Sequence, residues 1–319
     1  MKHLYYVIIA ALILVSCAET KPKQDKSEEA AKEVYAPGTR RMNVEVDIYN
    51  IATLDDYNYA MEHYWDDFDF EAEEEVVAYD TIAIMQAFAD YANLLSVERN
   101  GLRRDSLLRS VMQRAEHSRP VFDFMWYVAE GVLHDPNSPL RNDEMYIPIL
   151  EVITTSELLD EYDRIGPNYE LDMARQNRLG TVANDFTYRL ADGRSGRLHN
   201  IDAEYVILMF SNPGCPMCRE IQEEITSSPL INELTELGRV RTLSVYPDED
   251  LEAWREHLPE MPSTWIVGYD EGMQLTAERS YNLSAIPSLY LLDPEKRVII
   301  KDGTSVAQIE NAIAYLEAM

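Results

Sequence analysis

Cysteine is scarce in this sequence: three residues among 319, at positions 17, 215 and 218. That is too few for a disulfide scaffold, and it cannot supply a four-thiolate zinc site. Histidine is thin as well, with six residues at 3, 63, 117, 134, 199 and 257, too scattered to offer a local ligand cluster. Positive charge is outnumbered, with 28 lysines and arginines against 57 aspartates and glutamates and a net charge of −29. So acidic a chain is a poor partner for nucleic acid or for an anionic lipid surface. Long apolar runs are missing too. The run from Leu4 to Val15 falls short of the roughly 20 residues that span a bilayer, no second span follows, and no internal repeat is evident.

That short run has another use. Met1-Lys2-His3 before it and the small residue Ser16 after it give the three parts of an export signal. Leu14-Val15-Ser16-Cys17 resembles a lipobox. The resemblance implies that residues 1–16 are removed and that Cys17 becomes an acylated N-terminus. Two or three acyl chains, at about 0.8 kcal/mol per buried methylene, hold a protein stably at a membrane. The expectation is a lipid-anchored, extracytoplasmic protein of the cell envelope, on the periplasmic side of either membrane or at the cell surface. An ordinary signal peptide or anchor helix with an incidental cysteine is the alternative. With Cys17 so assigned, Cys215 and Cys218 are alone in the mature chain, and redox chemistry suits them better than a structural bridge.

Residues 17–42 are polar around Lys21-Pro22-Lys23-Gln24-Asp25-Lys26 and bury too little apolar surface to fold, so they read as a tether. Residues 43–178 read as a mostly helical domain. Ile82, Met85, Phe88, Ala92 and Leu95 recur at spacings of three and four. So do Leu107, Leu108, Val111, Met112 and Ala115, and, after Pro120, Phe124, Met125, Val128, Val132 and Leu133. The cluster 134–139 is a turn before a further helix. Tyr146, Tyr162 and Tyr169 read as packing, and Trp65-Asp66-Asp67 with Glu71–Glu75 as a solvated acidic edge. Nothing in this half assigns chemistry.

Residues 179–319 change rhythm. Phe186–Leu190 and Arg197-Leu198 flank Asp192-Gly193-Arg194, a hairpin pattern. Tyr205–Phe210 is a continuous apolar run, as expected for a strand buried on both faces. A helix from Pro216 to about Ser227, a strand at Val240–Val245 and an amphipathic helix at Asp250–Leu258 follow. Then come a short strand at Trp265–Val267, a helix through Tyr281, a hairpin of Ser288–Leu292 with Arg297–Ile300, and a last helix at Val306–Leu316. The fold class is α/β, with the helical domain in front.

Within that order, Asn212-Pro213-Gly214-Cys215-Pro216-Met217-Cys218 joins the first buried strand to its helix. A helix start leaves backbone N–H groups unpaired and carries partial positive charge, which favours an anion. A cysteine of pKa ~8.5 can fall to about 3.5–7.5 in such a setting. Pro216 fits the first helical position, where a missing N–H costs nothing. Cys218 lies one turn along. Cys215 is therefore expected to be the exposed nucleophile and Cys218 the recessed resolving thiol.

With this motif in place, residues from about 179 onward resemble the membrane-tethered thiol–disulfide oxidoreductases of the TlpA and ResA type in the thioredoxin superfamily. Ala285-Ile286-Pro287-Ser288 before Leu289–Asp293 is similar to that family's cis-proline loop. The resemblance implies that Pro287 is cis and lies against the cysteines, and that Ile286 offers backbone groups to an extended substrate. Residues 43–177 are similar to an uncharacterised N-terminal domain of bacterial lipoproteins with such a partner. There are departures: Met209 stands where thioredoxins carry a buried acid, Ile221 where relatives often carry a glutamate, and Gly214 where a tryptophan is usual. Glu220, Glu224 and Asp248 are the candidate replacements as proton acceptor for Cys218.

The expected function is thiol–disulfide exchange on extracytoplasmic proteins that contain disulfides, with a membrane thiol as electron donor; Pro216-Met217 leaves the direction open, and the resemblance implies reduction. No cofactor or metal is required, and no nucleic acid partner is implied. Two alternatives stay open: capture of a soft metal such as Cu(I) by the thiols with Met217, and a partner- or glycan-binding lipoprotein whose redox domain is accessory.

Overall fold

The computed structural model describes residues 53–71 and 79–318, together with Gly38 and Ile51. The signal 1–16, Cys17, most of the tether and residues 72–75 of the acidic edge lie outside the described residues.

Among the described residues six helices come first: α1 Leu54–His63, α2 Thr81–Ser96, α3 Gly101–Ala115, α4 Arg119–Leu133, α5 Asp143–Thr155 and α6 Ile165–Ala174. Side-chain caps start five of them, through Thr53, Asp80, Asn100, Ser118 and Asn142, each accepting a hydrogen bond from an otherwise unpaired N–H. Pro120 stands at the start of α4 rather than breaking a helix. The expected apolar faces of α3 and α4 are buried from Leu108 to Ala115 and from Met125 to Leu133. The face of α2 is rotated from expectation. Ile82 is 80% exposed, and the buried stripe runs Ile84, Phe88, Tyr91 and Leu95, because the aromatic rings of Phe88 and Tyr91 pack against Trp65. Tyr146 is buried, whereas Tyr162 and Tyr169 are exposed, the latter with Arg279 over its ring at 5.1 Å. Trp65 is core, and Asp66 pairs with His63 at 2.7 Å.

A seven-stranded sheet follows, in the order β2-β1-β5-β4-β3-β6-β7. Its strands are β1 Thr187–Leu190, β2 Ser195–Arg197, β3 Tyr205–Phe210, β4 Val240–Tyr246, β5 Ile266–Tyr269, β6 Ser288–Leu292 and β7 Val298–Gly303. β3, β4 and β5 are parallel, while β6, β7, β1 and β2 join antiparallel. Every residue of β3 is buried. Val206, Leu208 and Phe210 enter the core on one face, and Tyr205, Ile207 and Met209 enter the core on the other. Each such side chain contributes about 1.5–3 kcal/mol by leaving water. α7 Pro216–Ser227, α8 Pro229–Glu236 and α11 Val306–Glu317 cover the second face through Ile221, Ile225, Ile231, Ile309 and Ile313. α9 Leu251–His257 sets Trp254 against Tyr269, with ring centroids 4.8 Å apart.

The helix expected to run through Tyr281 is only α10, Gln274–Ala277. It stops because Arg279 takes a left-handed conformation, φ 53°, while the Ser280 N–H returns to the Leu275 carbonyl at 3.0 Å. Tyr281 then turns into the core and donates its hydroxyl to the Asn184 carbonyl at 2.6 Å.

The helical half meets the sheet at β7. Opposite Tyr290, two residues of β7 occupy the space of one: Leu289 pairs with Gly303 and Leu291 with Ile300, leaving Lys301 and Asp302 in a bulge. The Lys301 ammonium donates to the Ala174 and Gln176 carbonyls at the end of α6, at 2.9 and 2.7 Å, and pairs with Asp143 at 2.6 Å. Both side chains of that pair are buried. Cationic groups suit a helix C-terminus, where the last carbonyls lack partners.

Candidate functional site

The central strand β3 aims at the site, and a tight turn completes the approach. The Cys215 N–H donates to the Asn212 carbonyl at 3.3 Å, closing a turn with Pro213 second and Gly214 third at φ 72°. This is the pattern of a type II turn, which wants proline and glycine in those places. It explains Gly214 in place of the tryptophan expected by resemblance. A Cβ there would meet nothing within 4 Å, so the demand is on backbone conformation and not on space.

Cys215 is then the cap of α7. Its thiol accepts from the Cys218 N–H at 3.2 Å, so its sulfur stands where unpaired N–H groups favour negative charge. Pro216 takes the first helical position, as expected. Cys215 is half-buried, Met217 is 55% exposed and Cys218 is buried, and both thiols are free. Cys218 lies in the apolar cluster of Met209, Ile221 and Ile225, with Cys215 and Ile286 packed against it. Burial first, and then the adjacent Cys215 by hydrogen bonding and by charge, push the Cys218 thiol up to about 12. The backbone of Asn212 opposes this shift.

The strongest influences on Cys218 are burial, Cys215 and the backbone, and not a carboxylate. Glu220 and Glu224 are exposed on α7. Asp248 is exposed as well, and its carboxylate accepts from the Asn212 amide Nδ2 at 2.9 Å. It thus touches the turn that carries Cys215 and not the recessed thiol. Its place at the carboxyl end of β4 was legible; the intervening Asn212 was not.

The second candidate segment comes to the same place. Ile286–Pro287 is a cis peptide, as the resemblance implied, and Ile286 packs on the cluster that holds both cysteines. Sequence reasoning missed the residues that hold this loop. Ser288 pairs across β3 with Phe210 and donates its hydroxyl to Asp302 Oδ1 at 2.9 Å. The Tyr290 hydroxyl donates to the same oxygen at 3.0 Å. On the opposite carboxylate oxygen, Arg141 Nη2 donates at 3.3 Å. A serine after proline and an aspartate in an edge strand carry no signal of such a network until the bulge brings them together.

Two family descriptions match the chain: a domain of unknown function, DUF5106, over residues 16–177, and thioredoxin-like over residues 202–298. A solved thioredoxin-like protein from Bacteroides caccae is 34% identical with a TM-score of 0.78, covering 89% of this chain and 99% of that one. The C-terminal domain of an uncharacterized protein from Bacteroides fragilis is 42% identical with a TM-score of 0.42, covering 43% of this chain and 98% of its own. Human nucleoredoxin is 27% identical over 113 residues, which are 35% of this chain and 26% of that protein. The chain thus spans about a quarter of the length of the curated relatives it matches first.

Proposed function

The chain belongs to the thioredoxin-like family, with a DUF5106 amino-terminal half, and we propose that it is a thiol–disulfide oxidoreductase working through Cys215 and Cys218. The observation that carries this reading is the pairing of a half-buried thiol at the head of α7 with a buried one a single turn behind it.

The exchange runs in two steps. The Cys215 thiolate attacks one sulfur of a substrate disulfide; a new S–S bond forms and the other substrate sulfur leaves as a thiolate, which takes a proton. Cys218 then gives up its proton and attacks the Cys215 sulfur, releasing the second substrate thiol. The substrate gains two electrons and the Cys215–Cys218 pair becomes a disulfide. The first step prepares the second. Once Cys215 is bonded to substrate it no longer raises Cys218 by hydrogen bond or charge, and only burial is left to hold that proton.

The reading continues in the reducing direction, with extracytoplasmic disulfide proteins as substrates and a membrane thiol restoring the dithiol. Cys17 anchors the protein by lipid in the cell envelope; the lipobox-like Leu14-Val15-Ser16-Cys17 supports that part. Among the described residues no helix is long and apolar enough to cross a membrane.

The decisive experiment is substrate trapping together with insulin reduction. The Cys218→Ser variant should accumulate protein adducts that dithiothreitol dissolves, Cys215→Ser should form none, and the unaltered protein should reduce insulin. Adducts from Cys215→Ser alone would reverse the roles. Adducts from neither variant, with no insulin reduction, would end the oxidoreductase reading.

A further inference from the structure

The helical half holds no residue in the exchange chemistry, yet one of its side chains touches the carboxylate that holds Ser288, next to the proline loop beside the cysteines. Arg141 lies in the connection between α4 and α5, just before the Asn142 cap of α5. Its guanidinium donates to Asp302, and the two side chains are 11% and 5% exposed. Asp302 owes its inward aim to the β7 bulge, where its φ is 48°. The same carboxylate accepts the Ser288 hydroxyl, and Ser288 is both the neighbour of Pro287 and the partner of Phe210 on the strand that leads to Cys215. A short chain of contacts therefore runs from the helical domain to the loop 284–288.

We propose that Arg141 is a positioning residue for this loop, acting through Asp302 and Ser288, so that the helical domain sets how the redox site receives an extended substrate. The proposal rests on the thiol–disulfide reading above. Its physics is that of a buried carboxylate with one cationic partner in its hydrogen-bond set. With Arg141 beside it, Asp302 is an ion-paired acceptor, and a hydroxyl donating to a charged acceptor makes a stronger bond than one donating to a neutral oxygen. Without Arg141 a buried charge stands unpaired, and the carboxylate relieves this by turning towards water. That takes the acceptor away from Ser288 and frees the start of β6. Arg141 works through Nη2, and its Nε has no hydrogen-bond partner, so two-pronged geometry is not used here. A lysine can therefore replace it in charge.

The test compares Arg141→Met, Arg141→Lys, Ser288→Ala and a control, Arg178→Met, in the full mature chain. Arg178 ties the end of the helical half to α5 through Glu144, next to Asp143 at the same seam, and its hydrogen bonds go to Glu144 rather than to Asp302 or Ser288. Insulin reduction gives KM and kcat, iodoacetamide labelling gives the reactivity of Cys215, and deuterium exchange reports on residues 281–289. Arg141→Met should raise KM about tenfold, short of the roughly hundredfold that a 1 Å misplacement can cost. Labelling of Cys215 should stay within about twofold, exchange in 281–289 should quicken, and Arg141→Lys should restore most of the loss. Ser288→Ala should reproduce the KM effect, and it decides the matter should Arg141→Met fail to fold. Equal effects from Arg178→Met would mean general loosening of the interface and overturn the proposal. So would an unchanged KM and unchanged exchange in folded Arg141→Met. An unaltered protein that reduces no insulin would sink the functional reading instead, leaving exchange in 281–289 to decide the coupling.

Discussion

Cys218 should resist alkylation far beyond what its neighbour shows, and the size of the effect follows from its surroundings. Burial in the Met209–Ile221 cluster penalises the charged form, and the thiol rises from an ordinary 9.0 to about 12. Only thiolate reacts with iodoacetamide. At pH 8 an ordinary thiol is ionised in about one molecule in ten, and one at 12 in about one in ten thousand. Singly labelled protein, quenched early from the fully reduced state and mapped by mass spectrometry, should carry its label on Cys215. Label on Cys218 should appear roughly a thousandfold more slowly than on a free cysteine. Its rate should climb about tenfold per pH unit from pH 8 past pH 10 without levelling. In Cys215→Ser the rise should begin at lower pH, since two of the causes that hold the proton are then gone, but burial keeps it above that of a free thiol. A plateau for Cys218 below pH 9.5, or label on Cys218 ahead of Cys215, would refute the reasoning.

Three further outcomes are expected. Cys17→Ala should release the protein from the membrane fraction, and retention after a high-salt wash would count against the lipid anchor. Lys301→Met leaves the Asp143 carboxylate buried without its cation and should cost about 3–5 kcal/mol in urea unfolding; a loss under about 1 kcal/mol would show the seam to be slack. Gly214→Ala asks an L residue to adopt φ 72° and should cost roughly 1–2 kcal/mol, while an unchanged midpoint would mean the turn had relaxed.

The parts of the fold that sequence reveals are those fixed by local pattern. β3 was legible because an unbroken apolar run of six suits only a strand covered on both sides, and Gly193 at φ 83° marks the β1–β2 hairpin it was expected to mark. The cysteine pair was legible because a helix start imposes its own residue preferences. Where tertiary contacts decide, pattern fails. Ile82 has the spacing of a core residue, yet the rings of Phe88 and Tyr91 choose which face of α2 turns inward. α10 ends on Arg279, a residue that gives no stop signal, whereas α8 ends on Gly238, which does. Glu220 and Glu224 lie near Cys218 in sequence but on the solvent side of α7, and the Arg141–Asp302–Ser288 chain joins residues more than a hundred positions apart.

The edges of the sheet bear on how partners come and go. At one end β7 gives Lys301 to Asp143, Ala174 and Gln176 of the helical half, and its start is bonded through Val298 to Gly180 and Thr181. At the other, β2 is three residues long, and a side chain at its middle residue, Gly196, would strike the Tyr188 ring at 2.3 Å. So short a rim gives an incoming chain little backbone to zip onto. On the proposed thiol–disulfide exchange, a protein caught at Cys215 would be held by its sulfur and by a few contacts around the tip of β3. Once Cys218 severed that sulfur the visitor would drift away, a disposition to turnover rather than to lasting assembly.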